Sequence, residues 1–418
     1  MIRGIKGVKD ILPDEAPRWQ VIEGAARRLS SLYGYREIRV PVFEVTDLFA
    51  RSIGASTDIV EKEMYTFQDR DGSSLTLRPE ATAGVVRAYI EHNLGASPTP
   101  QKFFYLGPMF RHERPQAGRL RQFHQYGVES FGSTSPQADV EVVSLLWRFL
   151  SELGLPGLTL EINSLGDAAD RLAYKAVLLD FLKQHEERLC QNCRRRMGTN
   201  PLRVLDCKVP SCRTATEGAP KLTDHLAPAS LRHFEEVLAG LNALAVPYLL
   251  NPRLVRGLDY YTLTTFEVTS QHLGAQNAVG AGGRYDGLVE ALGGPKTPAI
   301  GFAVGLERVA LMLPESALPG RAKMIYVAAF GQQGVPLGTR ILHELRARGL
   351  QANTDYRSAT LKAHLRQADR LGASFVLIAG DDEAQKGLLI LRDMTSKEQQ
   401  EIPISTAAQT LAARLASA

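Results

Sequence analysis

Several stretches of the chain carry apolar residues at the spacing of an amphipathic helix. Residues 19–32 and 138–154 have this spacing, and a glycine stands at or near the end of each stretch. Residues 172–189 and 230–244 have it too, and they enclose a connector that contains cysteines and prolines. The pattern therefore predicts a helical subdomain, between residues 168 and 245, that is inserted into a larger domain.

Alternating apolar and polar residues predict strands between these helices. Residues 102–111 and 120–132 alternate in this way, and an arginine-rich loop joins them. The stretch 37–45 is rich in β-branched residues, and Pro41 within it indicates a sheet edge or a bulge. A short strand before Pro79 leads into a further helix, for whose first turn this proline is suited.

The last part of the chain has a pattern of its own. Strand and helix signals alternate through residues 322–418, which predicts a compact α/β domain. The preceding stretch ALPGRAK has the composition of a linker. We therefore expect a first domain in residues 1–320 and a second in residues 322–418.

Composition limits the classes of protein and of partner. The chain has 418 residues, of which 44% are hydrophobic and 22% charged, and its net charge of +4 is only mildly basic. A polyanionic partner must therefore meet a local basic patch. Neither a membrane-spanning stretch nor the apolar core of a signal peptide is evident, and the few cysteines do not resemble a secreted disulfide framework. We expect a cytoplasmic protein without a membrane segment.

The densest charge lies in FRHERPQAGRLRQFHQ, residues 110–125. Its arginines are Arg111, Arg114, Arg119 and Arg121. Guanidinium groups stay charged and match phosphate or carboxylate as two-pronged donors, although a solvated basic loop is the alternative interpretation. On the following strand Arg121, Gln125 and Glu129 share one face, which is therefore either solvated or the floor of a polar site. Together with Glu80, these groups suit a ligand that carries an ammonium group.

Three further segments have unusual compositions. LVRGLDYYTLTTFEV, residues 254–268, places Arg256 and Asp259 before a threonine-rich strand with paired tyrosines, and an ordinary hairpin is the alternative. AVGAGGRYDGL, residues 278–288, is too rich in glycine for a plain strand interior, so its backbone should closely approach a ligand or another segment. AIGFAVGLERV, residues 299–309, predicts a strand, a glycine turn and a helix.

Together these segments resemble the motifs of one family, in order along the chain. FRHERPQ with RQFHQYGVE resembles the second signature motif of class II aminoacyl-tRNA synthetases in its histidine-specific form, YGYREIRVPVFEVTDLF resembles the first motif, and GFAVGLER the third. RGLDYY and GAGGRYDGL resemble two peptides specific to histidyl-tRNA synthetases, and TLRPEATAG resembles their amino-acid-contacting turn. The resemblance covers nearly the whole chain, which is identified as a bacterial-type member of this family.

The resemblance implies a fold, a reaction and partners. The fold would be an α+β catalytic domain, in which helices flank an antiparallel sheet, with the helical insertion and a C-terminal α/β anticodon-binding domain. The reaction would attach L-histidine to tRNA(His) through a histidyl-adenylate, using ATP that arrives with Mg²⁺. The first motif would place residues 35–48 in a homodimer interface. Candidate contacts to tRNA phosphates in the last domain are Arg346, Arg348, Lys362, Arg366 and Arg370.

The resemblance also implies individual roles. Arg111 and Arg256 would be catalytic and would contact the α-phosphate of ATP from two sides, and Arg308 would stack on adenine or reach the outer phosphates. The further arginines that would serve ATP or the acceptor end of tRNA are Arg114, Arg119 and Arg121. The residues that would hold histidine are Glu80, Thr82, Gln125, Glu129, Tyr260, Tyr261 and Tyr285.

Three alternatives remain at this point. A catalytically silent, synthetase-like regulatory subunit that binds histidine is the rival function, although such paralogues typically lack catalytic motif residues or the last domain. Ala81 stands where many relatives have glycine, which matters only if that position needs a positive φ angle. The cysteines, spaced C-x2-C and then C-x4-C from Cys190 to Cys212, suggest tetrahedral zinc. Because the second spacing is wider than in a zinc ribbon, we expect reduced thiols and no protein-bound metal.

Overall fold

The computed structural model of the protein describes residues 2–54, 57, 59–97, 99–256, 258, 260–274, 277–320 and 323–417. The chain separates into two compact units, Met1–Leu318 and Pro319–Ala418. This division by contacts does not test the predicted domain limits, which remain predictions. Gly257 and Asp259 of the RGLDYY motif lie outside the described residues, as does Ala322 at the predicted start of the second domain. Within the described part of the chain, no helix is both long and apolar enough to cross a membrane.

The first unit combines strands and helices throughout its length. Its strands are β1 (Arg36–Glu37), β2 (Phe43–Val45), β3 (Tyr65–Gln68), β4 (Ser74–Leu77), β5 (Gln101–Phe110), β6 (Gln122–Phe131), β7 (Leu158–Ser164), β8 (Leu249–Leu250), β9 (Thr262–Ser270), β10 (Ala278–Arg284) and β11 (Ala299–Gly305). Its helices are α1 (Ala16–Leu32), α2 (Thr46–Ile53), α3 (Thr82–Glu91), α4 (Pro136–Glu152), α5 (Ala168–Lys183), α6 (Gln191–Thr199), α7 (Leu202–Leu205), α8 (Pro210–Ala215), α9 (Pro228–Ala243), α10 (Leu288–Ala291) and α11 (Leu306–Met312).

A large mixed sheet organises this unit. Its strand order is β1-β5-β6-β11-β10-β9-β7-β8, and a smaller sheet has the order β2-β4-β3. Neighbouring strands from β5 through β7 run antiparallel, whereas the two-residue strands β1 and β8 pair in parallel at the two edges. The predicted antiparallel sheet with flanking helices is therefore confirmed for the strands that carry the motifs.

The main core lies between the large sheet and helices α1, α4 and α9. Val128, Phe266 and Phe302 from the sheet are buried there with Phe149 of α4 and Phe234 of α9. The sequence groups α9 with the insertion, but its apolar face belongs to this main core. Its close packing on α4 depends on Gly240, because a Cβ atom there would lie 2.5 Å from a methyl carbon of Val140.

The glycine-rich stretch departs from the prediction that a plain strand interior is disfavoured there. Residues 278–284 form β10, a central strand of the large sheet. A Cβ atom at Gly282 would lie 2.1 Å from the carbonyl oxygen of Gly301 and 2.6 Å from the Phe266 ring. Glycine is therefore required for strand packing here, and the predicted close approach to another segment is confirmed.

Two further predictions about local structure need correction. The single strand predicted for residues 37–45 is divided between β1 and β2, which belong to different sheets, and Pro41 stands between them. Pro79 lies outside α3, which begins at Thr82, because the buried Glu80 carboxylate accepts hydrogen bonds from the first backbone amides of the helix. Ala81 has a φ angle of −106°, so alanine fits this position without strain.

The second unit has the α/β architecture that its pattern predicts. Its strands are β12 (Ile325–Ala329), β13 (Ala352–Asn353), β14 (Phe375–Ala379), β15 (Leu388–Asp393) and β16 (Gln399–Pro403). Its helices are α12 (Gly334–Ala347), α13 (Leu361–Arg370), α14 (Asp381–Lys386) and α15 (Ala407–Ser417). The sheet order is β13-β12-β14-β15-β16, in which the first three strands are parallel and the last two antiparallel.

Candidate active site

A pocket lies on the face of the large sheet that turns away from the main core. Its floor is lined by small residues, because the paired positions Ala303 and Ala281 of two neighbouring strands both face this side. Next to them, Glu129 pairs with Gly301. Small residues on the floor leave a cavity of about 370 Å³ above it, and polar side chains enclose this cavity from its sides.

Two buried carboxylates mark one end of the pocket. Glu129 on β6 accepts a hydrogen bond from the Thr82 hydroxyl at 2.7 Å and another from the Tyr285 hydroxyl. The Glu80 carboxylate accepts hydrogen bonds from the backbone amides of Thr82 and Ala83 at 2.7 and 2.9 Å. Thr82 therefore connects both carboxylates and holds them beside each other.

Burial controls the charge of these carboxylates. Loss of hydration raises the pKa of Glu129 to about 8, against the hydrogen bonds from Tyr285 and Thr82, and the neighbouring Glu80 raises it further. Burial also raises the pKa of Glu80, although backbone amides and the Arg111 charge oppose this change. With this pKa, the Glu129 carboxyl is mostly protonated at pH 7.

The same end of the pocket offers a neutral acceptor and an aromatic wall. The Oε1 atom of Gln125 is buried and has no hydrogen-bond partner among the described residues, which is costly unless a ligand supplies a donor. Tyr260 forms the wall, with its ring centroid 4.7 Å from that of Tyr261 and 5.7 Å from that of Tyr285. A compact ligand that has both an ammonium group and an aromatic ring matches this surface.

Arginines surround the rest of the pocket. Arg111 is held by its Nε atom, which donates to the Pro79 carbonyl oxygen at 2.8 Å, and its guanidinium lies 5.3 Å from the centre of the Phe123 ring. Arg119 pairs with Glu113 at 2.9 Å. Arg308, at the start of α11, donates to the backbone oxygens of Ala278 and Gly118. Burial lowers the pKa of Arg308, and the nearby Arg119 charge lowers it further.

Arg256 approaches the pocket from another direction. Its guanidinium pairs with Glu267 of β9, and its Nε atom is buried without a hydrogen-bond partner in the described part of the chain. Burial alone would lower the pKa of Arg256, but the charges of Glu267 and Tyr261 outweigh this effect and raise it. Arg256 is therefore a permanent cation that retains an unused donor.

The structure brings together all but two of the site residues that the sequence motifs predict. Arg121 does not line the pocket; its side chain packs against Gly7 and donates to the backbone oxygen of Glu113 at 3.4 Å. Arg114, the further loop candidate, is exposed. The predicted residues that line the pocket are Glu80, Thr82, Arg111, Arg119, Gln125, Glu129, Arg256, Tyr260, Tyr261, Tyr285 and Arg308.

Sequence reasoning missed several charged residues of the wall. Glu267 lies within a motif, but its ion pair with Arg256 is seen only in the structure. Asp206 and Lys208 reach the pocket from the insertion, far from any motif in the chain. Burial raises the pKa of Asp206, and the Glu267 carboxylate raises it further. No local pattern marks these two residues, because only the fold brings the insertion to the pocket.

The arrangement suits a reaction between an amino acid and a phosphate ester or anhydride. Carboxylates and a free amide oxygen at one end can bind an ammonium group, and arginines from separate segments can stabilise charge that develops on phosphate oxygens. Among the described residues, the pocket wall contains no cysteine or serine that could serve as a covalent nucleophile. The arrangement suits chemistry that relies on positioning and on fixed charge.

Comparison with known proteins agrees with this chemistry. A family model described as histidyl-tRNA synthetase matches residues 7–309, and one described as an anticodon binding domain matches residues 325–414. The chain is 51% identical over 417 residues to the histidine–tRNA ligase of Desulfatibacillum aliphaticivorans, with 99% of both chains covered. It is 51% identical to that of Trichlorobacter lovleyi, with 99% of this chain and 98% of the relative covered.

A solved structure is similar as well. The apo histidyl-tRNA synthetase of S. aureus aligns with a TM-score of 0.83 at 37% identity, over 98% of this chain and 99% of that one. The likeness extends over both units of the chain, including the insertion.

Proposed function

The chain belongs to the histidyl-tRNA synthetase family, and from this membership we propose that its pocket forms histidyl-adenylate from histidine and ATP before the histidyl group passes to tRNA. The overall reaction is the ATP-dependent attachment of histidine to tRNA, with release of AMP and diphosphate. The full-length relatives do not favour the regulatory alternative. The observation that carries the proposal is the pocket itself, with buried carboxylates and an unpaired amide oxygen at one end and converging arginines around the rest.

Histidine binds at the carboxylate end in this proposal. Glu129 and the Oε1 atom of Gln125 accept hydrogen bonds from its α-ammonium group, while Glu80 and Thr82 hold the turn that supports them. The imidazole ring lies against the wall formed by Tyr260, Tyr261 and Tyr285. This orientation leaves the carboxylate of histidine facing the arginines.

The chemical step then requires little proton transfer. A carboxylate oxygen of histidine attacks the α-phosphorus of ATP, the bond between the α- and β-phosphates breaks, and diphosphate leaves. Arg111 and Arg256 stabilise the negative charge that gathers on the α-phosphate oxygens, and Arg308 and Arg119 receive the rest of the nucleotide. A ribose hydroxyl of tRNA then attacks the carbonyl carbon, its proton passes to a phosphate oxygen of the adenylate, and AMP leaves. Mg²⁺ enters with ATP and neutralises its outer phosphates.

The direct test of this function is histidine-dependent exchange of labelled diphosphate into ATP. The proposed enzyme supports exchange with L-histidine, and it charges tRNA(His) when tRNA is added. A regulatory subunit would bind histidine without exchange, so histidine binding without exchange by the intact protein would refute the proposal.

The raised pKa of Glu129 gives a prediction about protons. At pH 7 the carboxyl is mostly protonated because its pKa is about 8. An ammonium group at hydrogen-bond distance favours the carboxylate and lowers this pKa. Histidine binding at pH 7 should therefore release up to about 0.9 proton per pocket from Glu129. Calorimetry in two buffers of different ionisation enthalpy measures this release.

Two controls isolate the Glu129 proton. Imidazole, which has the ring but no ammonium group, should bind weakly and release no proton from the protein. The variant Glu129→Gln should bind histidine more weakly and lose most of the release. An unchanged release in the variant would show that the proton comes from another group and would contradict this position for the α-ammonium.

We also propose that the protein is a homodimer, as its first motif implies. Of the residues 35–48 that were expected at the interface, Tyr35 and Leu48 are buried within the single chain. Phe43 and Val45 of β2 are 48% and 54% exposed, and Phe67 of β3 is 44% exposed. Their register places them on the same face of the small sheet, so this face offers the apolar surface that an interface needs.

The exposed apolar face allows a test of the dimer. Phe43→Glu should shift the protein from dimer to monomer and lower its activity, because a charge would be buried at the interface. Leu172→Asp is the matched control, since Leu172 is exposed on α5, away from the small sheet. Light scattering measures the mass. If the unchanged protein is an active monomer of 45.8 kDa, the proposal is wrong.

The second unit provides the contact to the anticodon in this proposal. Its match to an anticodon-binding domain supports this assignment. The basic residues that the sequence indicated there are all exposed, namely Arg346, Arg348, Lys362, Arg366 and Arg370. We further propose that the protein acts in the cytoplasm, where reduced cysteines persist.

A further inference from the structure

The four cysteines of the chain meet at one point in the insertion. The sulfur atoms of Cys190, Cys193, Cys207 and Cys212 all lie within 4.8 Å of one another. The Sγ atoms of Cys190 and Cys207 are 4.0 Å apart, and all four residues are free thiols. The cluster takes no part in the ligase chemistry proposed above.

Short helices explain how two dissimilar spacings converge. Cys190 caps the start of α6, and Cys193 lies in its first turn, so both sulfurs face the same side. Cys207 follows α7, and Cys212 lies in the first turn of α8. The turn from Cys207 into α8 uses the additional residues of the C-x4-C spacing. The wide C-x4-C spacing is therefore compatible with a common site, although from the sequence alone it was an argument against zinc.

The sulfur geometry is close to that of a tetrahedral metal site. Zn–S bonds of about 2.3 Å place the sulfurs of a tetrahedron about 3.8 Å apart. The observed separations need only small shifts to reach this value, whereas a disulfide needs a bond of about 2.05 Å. The backbone amide of Cys190 donates to Sγ of Cys212 at 3.1 Å. A donor of this kind stabilises a thiolate ligand from outside the coordination sphere.

The surroundings also suit an anionic metal–thiolate group. Cys193 and Cys212 are fully buried, and the cluster belongs to the insertion's own apolar core. Six basic and only two acidic residues lie between Cys190 and Glu217. Four thiolates with one Zn²⁺ carry a net charge of −2, which these basic residues can balance.

We propose that Cys190, Cys193, Cys207 and Cys212 bind one Zn²⁺ as a structural site. Each thiol loses its proton to solvent, and four Zn–S bonds form with no change in the oxidation state of metal or sulfur. Soft thiolate ligands in a tetrahedral set favour zinc over magnesium or calcium. The earlier expectation of metal-free thiols is replaced by this proposal.

The metal has a defined structural task in the insertion. Helices α6, α7 and α8 have nine, four and six residues, lengths at which isolated helices are unstable. The Zn²⁺ ion joins all three. Cys207 stands between Asp206 and Lys208, which both line the pocket. The metal therefore fixes the segment by which the insertion reaches the pocket.

Metal analysis of the full-length protein, purified without an affinity tag, tests the site. We expect about one Zn²⁺ per chain to remain through gel filtration. The four cysteines should react slowly with a thiol reagent until a chelator removes the metal. Co²⁺ that is then added should give the visible absorption of tetrahedral cobalt thiolate, which the zinc protein lacks. Failure to retain stoichiometric Zn²⁺ or Co²⁺ overturns the proposal, as does a disulfide between any two of these cysteines.

Variants identify the ligands. Cys193→Ser and Cys207→Ser should each lower zinc affinity at least tenfold, roughly the smallest effect expected from losing a ligand. Cys207→His keeps a metal-binding group and should retain zinc with an altered Co²⁺ spectrum. The matched control Ser211→Ala changes an exposed neighbour of Cys212 and should bind as the unchanged protein does. Full zinc binding by the two serine variants would also overturn the proposal. The Co²⁺ spectrum is measured on the unchanged protein. It therefore tests the proposal even if a variant folds poorly.

Discussion

Replacing Arg256 by alanine should slow histidyl-adenylate formation by about 10²- to 10³-fold, the range found when a single charge-stabilising donor is removed. The dissociation constant of histidine should change by less than about threefold, because the guanidinium is directed at the phosphate and not at the amino acid. The loss should therefore appear in the rate of the chemical step.

The structure gives physical reasons for the size of this loss in rate. Arg256 is a permanent cation with a buried Nε donor that has no partner in the described chain. Glu267 fixes its guanidinium in the absence of ligand, so little reorganisation is needed when ATP enters. A positioned charge in a partly buried site acts on the transition state more strongly than a mobile charge in water would.

Single-turnover measurements separate the rate from binding. Adenylate formation is followed after mixing enzyme, histidine and ATP, and histidine affinity is measured by calorimetry. Arg232→Ala is the matched control, because it removes the same charge from an exposed position on α9. A rate for Arg256→Ala within a few-fold of the unchanged enzyme would mean that Arg256 does not contact the reacting phosphate.

Much of the pocket could be predicted because its residues lie in short motifs that resemble those of a known family. Gln125 and Glu129 share a face through the alternation of one strand, and the arginine-rich loop joins two strands that pair along their length. Glu267, Asp206 and Lys208 could not be predicted in the same way. Their place in the pocket depends on strand register or on the return of the insertion, and neither is encoded in a local pattern.

The fold shows the same limit. Helices with a clear apolar face, such as α1 and α4, lie close to the predicted stretches, since burial of that face dominates their placement. A plain strand interior at Gly282 was disfavoured in the prediction because glycine is unfavourable in an isolated strand. In the protein, the neighbouring Phe266 ring and the Gly301 backbone fill the space of a side chain, so only glycine fits. Tertiary packing thus outweighs the low preference of glycine for strands at this position.

Removal of the second unit should separate the two steps of the reaction. Every described residue that lines the pocket lies between Glu80 and Arg308, so a chain that ends at Leu318 keeps the whole site. Histidine-dependent diphosphate exchange should stay within about threefold. Aminoacylation should fall at least about 30-fold in kcat/KM for tRNA, because two lost base-stacking contacts at about 1 kcal/mol each already account for that factor.

A finer variant places the contact within the second unit. Strands β12, β13 and β14 are parallel, and Tyr356 and Arg357 follow the carboxyl end of β13, the edge at which such sheets usually bind ligands. Tyr356 is 80% exposed and can stack on an unpaired base. Tyr356→Ala should lower kcat/KM for tRNA by about 5- to 150-fold and leave diphosphate exchange unchanged. Leu371→Ala is the matched control, because Leu371 is exposed after α13, near the opposite edge.

Initial rates of tRNA charging measure both variants at several salt concentrations. Contacts to phosphate should weaken as salt rises, whereas stacking of Tyr356 on a base should depend on salt much less. The loss caused by Tyr356→Ala should therefore stay nearly constant across the series. If the shortened chain, shown to be folded and dimeric, charges tRNA as well as the full chain does, the second unit is not the anticodon reader. If only Tyr356→Ala has no effect, the anticodon must bind elsewhere on that unit.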